Sequence, residues 1–292
     1  MRPNDQRPPG APRSALAALL TRRLTETYGA AADPEQAGRM AAYMKGVAPF
    51  LGIRTPLRRE LSRAVTKDTP APTEADCAAL ALRCWGLAER EYHYFAADYL
   101  RRHVSRCSSG FLPVVRHLIV TVPWWDTVDT LAAHTVGPLV AADPRLAAVM
   151  DEWIGDDDLW IARTALLHQL RYKAATDADR LFAHCRRQAS HPDFFIRKAI
   201  GWALREYAKT DPRAVRAFVE AERTTLSPCR PARPSRTSDR GEIHSTPSWG
   251  WGRIGGMSRY VFLAVPSAVA DAPKAAVHAV VHAPAALDGA RS

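Results

Sequence analysis

Residues 193–221 read DFFIRKAIGWALREYAKTDPRAVRAFVEA. After Asp193, the apolar residues Ile196, Ile200, Ala203, Leu204 and Tyr207 recur at spacings of three and four, the stripe of an amphipathic helix. Asp211 and Pro212 then place a capping carboxylate before a proline at the first helical position. The stretch is therefore two helices with a short link, the unit of a stacked helical pair.

The same punctuation recurs upstream. Asp33-Pro34 and Asp143-Pro144 repeat the Asp cap, and Thr55-Pro56 repeats it with Thr. Reading outward gives about twelve helices near 15–28, 34–47, 56–66, 73–87, 89–105, 110–120, 124–133, 135–141, 144–154, 158–172, 177–188 and 194–208, with a last one at 212–223. Alternating β-branched runs are nearly absent, so the fold class is all-α. No repeat period is regular. The capped helices suggest degenerate HEAT-like repeats in a curved solenoid, and an irregular helical bundle fits the pattern as well.

Composition divides the chain in three. Residues 1–14 read as a flexible N-terminal segment and 15–226 as the helical domain. Residues 227–292 turn Pro/Ser/Arg-rich, then Gly/Trp-rich, then Ala/Val-rich, and read as a disordered or aberrant tail in which Tyr260–Val265 could form a strand. Of 292 residues 47% are hydrophobic, which excludes disorder throughout. No uncharged apolar run is long enough to span a membrane, and Ala15–Leu20 is too short for a secretory signal. The five cysteines are scattered without a CxxC pair, which argues against a disulfide framework or structural zinc and for a reducing, cytoplasmic setting. A formal charge of +10 suits a polyanionic partner without specifying one.

Three segments carry chemistry. The first is PWWDTVD at 123–129. On a helical wheel Trp124, Val128, Leu131, Ala132 and Thr135 share the core side, while Trp125 and Asp129 lie one above the other on its flank. A carboxylate beside an indole needs a positive partner, so the plain alternative is a salt-bridged Asp129 among core tryptophans. The second, DLWIARTALLHQL at 158–170, puts Arg163 in the middle of a leucine group. A guanidinium there needs a carboxylate such as Asp129, or an external phosphate. The third is the helix after Asp193. Trp202 lies nearly opposite the apolar stripe, at the angle of Lys198, Arg205 and Lys209. Such a Trp either packs on a neighbouring helix or serves as an aromatic platform within a phosphate-binding stripe.

Other features are weaker. His278 and His282 are four apart without an HExxH, so no metal is expected. No GxSxG, P-loop or GxGxxG is present. Arg101-Arg102-His103 and Arg58-Arg59 read as solvated faces that could extend a basic surface.

The block 193–221, together with WWDTVD at 124–129 and LWIARTALLHQL at 159–170, resembles the DNA alkylation repair glycosylases of the AlkD type. YMKGVAPFLGIRTPLRRE at 43–60 is similar to that family's N-terminal block, and the resemblance covers about 15–226 with the motifs in family order. It implies a right-handed superhelix of HEAT-like repeats holding duplex DNA in a basic concave groove. It implies hydrolytic excision of cationic 3-methyladenine and 7-methylguanine, without base flipping and without a cofactor. By the same resemblance Asp129, Trp125 and Trp202 are catalytic, and Arg163 lies near the lesion's phosphate. Lys198, Arg205 and Lys209 would bind the DNA backbone, and the expected form is a monomer clear of membranes. After Leu226-Ser227 the chain departs from the family, as a shifted reading frame in the gene would produce; translating the other frames beyond codon 227 tests that. A non-catalytic scaffold for DNA or protein is the rival reading, and a relative specialised for bulky adducts is a third.

Overall fold

The computed structural model of the chain describes residues 12–226. The expectations for residues 227–292, including the strand at 260–265 and His278/His282, lie outside the described residues.

Thirteen α-helices make up the described chain: α1 Ala15–Ala30, α2 Pro34–Tyr43, α3 Thr55–Thr66, α4 Glu74–Trp85, α5 Arg90–His103, α6 Leu112–Val120, α7 Trp125–Leu131, α8 Gly137–Ala142, α9 Leu146–Trp153, α10 Leu159–Leu167, α11 Ala178–Arg187, α12 Phe194–Tyr207 and α13 Pro212–Ala221. Local chemistry sets most of their starts. Asp33 accepts the amide of Gln36, Asp193 that of Phe195, and Asp211 those of Arg213 and Ala214. Thr73 and Asp76 form a reciprocal capping box on α4.

Two expected caps are corrected. Thr55 lies inside α3, with Arg54 at the cap position and no side-chain bond, because Pro56 needs no amide partner there. Asp143 opens a turn through Pro144 and Arg145, and α9 starts only at Leu146. The end expected for α2 at 47 also moves. The helix stops at Tyr43, because Lys45 and Gly46 turn to φ values of 61° and 69°.

The separate helices expected at 124–133 and 135–141 form one bent element. α7 runs through a π-turn, Ala132–Val136, into α8. Pro138 has no amide hydrogen, and its ring would crowd the carbonyl four residues back. Widening the turn, so that the Gly137 amide donates to the Ala132 carbonyl, lets the chain continue. Gly137 is required here: a Cβ would fall 2.3 Å from the carbonyl oxygen of His168.

Helices pack largely in chain order. α1 lies on α3 and α4, α4 on α5 and α6, α5 and α6 on α7, α7 on α10, α10 on α11 and α12, and α12 on α13. This is the nearest-neighbour stacking of a helical-repeat solenoid. α10 is its hub, with every residue from Trp160 to Leu167 buried. Such a helix must be apolar nearly all round, and Arg163 is its one charged residue. No helix among the described residues is long and apolar enough to cross a membrane.

Candidate active site

The site is built at the start of α7. Val122 is held at φ 47°, an unfavourable conformation for a β-branched residue, and Trp124 is extended with no side-chain cap. Arg90, at the first position of α5 and wholly buried, compensates. Its guanidinium donates to the Val122 carbonyl at 2.8 Å, to both carboxylate oxygens of Asp126 at 2.6 and 3.0 Å, and to Thr127 Oγ1 at 2.8 Å. The Tyr94 hydroxyl donates to Asp126 at 2.6 Å. Burial, with Arg90 beside it, pulls His93 down to about 4, so it stands neutral behind the clamp. The clamp fixes where α7 begins, and hence the directions of Trp125 and Asp129.

One turn on, Asp129 meets Arg163 of α10. Nε and one terminal nitrogen donate to the two carboxylate oxygens, each at 2.7 Å, a bidentate fork. The remaining terminal nitrogen donates to the Phe195 carbonyl of α12. One guanidinium thus ties together the helices carrying Trp125, Asp129 and Trp202. The pair is nearly closed off, with side-chain exposures of 5% for Arg163 and 9% for Asp129. Burial pushes the Asp129 carboxyl above its ordinary value, and Arg163 opposes that rise.

Of the two partners the residues left open, Arg163 takes the carboxylate, and it adds a carbonyl, where the family resemblance had placed it near the lesion's phosphate. Trp125 is half-buried against the core. Trp124 is likewise half-buried against the core, its ring 5.1 Å from Phe195 and 5.8 Å from Trp160. On α12, Trp202, Lys198 and Arg205 are half-buried, and Lys209 is exposed in an ion pair with Glu206. Lys198 sits 5.4 Å over the ring of Phe194, an exposed phenylalanine that sequence reasoning passed over. Arg58 is corrected from a solvated face: it is buried, bonded to Asp98 at 2.9 Å and stacked 5.0 Å over Tyr94.

The Arg90–Asp126 clamp was missed. Its signal was present, because Asp126 stands in the same motif as Asp129 and needs a cation for the same reason. Arg90, 36 residues upstream, carries no local mark of burial.

The profile of the family described as DNA alkylation repair enzyme matches residues 24–232. The chain belongs to that family. A solved structure described as a predicted DNA alkylation repair enzyme from Enterococcus faecalis is similar to it at 31% identity and a TM-score of 0.61. That match covers 65% of this chain and 89% of the solved one. No curated protein matches. The family's span takes in Arg90, Trp125, Asp126, Asp129, Arg163 and all of α12.

Proposed function

We propose that this member of the family is a DNA glycosylase that hydrolyses the N-glycosidic bond of cationic alkylated purines in duplex DNA, without flipping the base into a pocket. The observation that carries the reading is the fixed carboxylate of Asp129. It lies one helical turn from Trp125 and is bound through Arg163 to the helix that bears Trp202, Lys198 and Arg205.

The chemistry asks little of the protein. A purine alkylated at N3 or N7 is already cationic, so it leaves as a neutral base and needs no general acid. The sugar left behind gains oxocarbenium character. A carboxylate near C1′ stabilises that charge and can orient the attacking water or take its proton. Arg163 keeps Asp129 anionic and aimed, and the carboxylate would meet the sugar through the 9% of the side chain that remains exposed. In this role Arg163 is a positioning residue. Trp125 and Trp202 would pack on the deoxyribose and exclude water, their electron-rich faces favouring a cationic sugar. Lys198, Arg205 and Lys209 would neutralise phosphates.

The same ion pair supports a second reading. A buried Arg–Asp fork joining three helices is sufficient as architecture, and a scaffold binding DNA without chemistry would carry it unchanged. Incubation of the full chain with a duplex containing 7-methylguanine separates the two. The glycosylase releases free 7-methylguanine and leaves an alkali-labile abasic site. Retention of the duplex with no base released assigns the chain to the scaffold reading.

A further inference from the structure

Gly201 stands in the middle of α12, exposed, with nothing within 4 Å of the position a Cβ would take. A glycine inside a helix is destabilising relative to alanine. Here no neighbouring backbone or side chain accounts for the missing methyl group, so the fold itself gives no reason for it. The surroundings do. At about 100° per residue, Gly201 falls on the outward side of α12 with Phe194, Lys198, Trp202, Arg205 and Lys209. Its neighbours three and four residues away are Arg197, Lys198, Leu204 and Arg205.

Gly38, in α2, is also mid-helix and exposed with open space above it. Its corresponding neighbours are Pro34, Glu35, Ala41 and Ala42, with no cation and no aromatic ring. Gly38 therefore serves as an internal comparison. Only the glycine of α12 is a flat spot ringed by three cations and flanked by an indole.

We propose that Gly201 is where the sugar–phosphate backbone of the bound strand lies directly on α12, its phosphates taken by Arg197, Lys198 and Arg205 on either side. The occupant rests on the DNA reading above. The missing side chain lets the deoxyribose reach van der Waals contact with the helix, bringing the nucleotide down to the level of Trp202. A methyl group there holds the strand off the helix, and every flanking charge then reaches its phosphate from further away. Gly201 is in this account a binding determinant with no chemistry of its own.

The test uses the full chain with Gly201→Ala, Gly201→Gln and Gly38→Ala. Thermal midpoints are measured, along with duplex DNA affinity at several salt concentrations. Both alanine variants are expected to melt about 2 °C higher than wild type. Gly201→Ala is expected to bind duplex about fivefold more weakly, and Gly201→Gln more weakly still. The slope of log affinity against log salt becomes shallower, because the flanking charges no longer close on their phosphates. Gly38→Ala binds as wild type does. Wild-type affinity in both Gly201 variants overturns the inference and leaves the DNA reading standing. Loss of thermal stability in Gly201→Ala also overturns it, since the Cβ would then be meeting protein. A wild-type chain that retains no duplex at any salt sinks the DNA reading and this inference together.

Discussion

Asp129 and Arg163 hold each other in a place where neither charge tolerates solitude. Removing a carboxylate and a guanidinium from water is costly, and their fork, with the third bond to the Phe195 carbonyl, offsets that cost only while all partners remain. Arg163→Ala strands a buried carboxylate and orphans a carbonyl, so it should destabilise the fold by about 3–5 kcal/mol. A urea midpoint indistinguishable from wild type would show that the pair is looser than its geometry. Ionisation matters as well. Burial raises the Asp129 carboxyl above the ordinary 3.8, and a protonated, neutral carboxyl cannot stabilise a cationic sugar. The acid limb of the single-turnover excision rate should therefore lie above pH 3.8 in wild type and be absent from Asp129→Asn. At this scale the sequence was legible in part. The helical wheel singled out Asp129 and Arg163 as charges in need of partners, and Asp129 was one candidate for Arg163. Whether the guanidinium would take the carboxylate or a phosphate was open, because that choice depends on how closely α7, α10 and α12 pack.

Among the elements, the helices were readable because their starts are chemical events. A carboxylate accepting one or two orphan amides at Asp33, Asp193 or Asp211 is a local bond, visible in local sequence. The π-turn was not readable. The sequence pattern placed a break between 133 and 135, and the chain instead widened one turn and continued, because Gly137 lets the backbone settle against the end of α10. Tyr172 secures the arrangement by donating to the Gly137 carbonyl at 2.6 Å. Gly137→Ala should thus cost about 1–3 kcal/mol, since the opposing atom is backbone and cannot step aside. Calorimetry giving an unchanged melting midpoint would contradict this packing. The Arg90 clamp was hidden for the same reason as the π-turn: it spans α5 and α7, and no window of sequence contains both ends.

At the scale of the described domain, the buried His93 and His168 and the half-buried His134 stand neutral. Burial draws His93, His134 and His168 down to about 4. The unfolded chain binds those protons near 6.5, so between the two values the unfolded state takes up more protons than the folded one. Stability from these groups is full above pH 6.5 and is lost as pH falls toward 4. Melting midpoints should decline steadily from about pH 7 to about pH 5, and a flat profile across that range would refute the burial assigned to these rings. The net charge of +10 also acts on the whole molecule, drawing polyanions without regard to sequence. On the proposed reading, what separates an enzyme from a basic scaffold is the carboxylate of Asp129. The direct measurement compares 7-methylguanine release by wild type and Asp129→Asn under single-turnover conditions, with duplex affinity measured in parallel. The account predicts release at least tenfold slower in the variant, an order-of-magnitude figure for loss of one charge-stabilising group, with affinity nearly unchanged. Equal release by both proteins would contradict it.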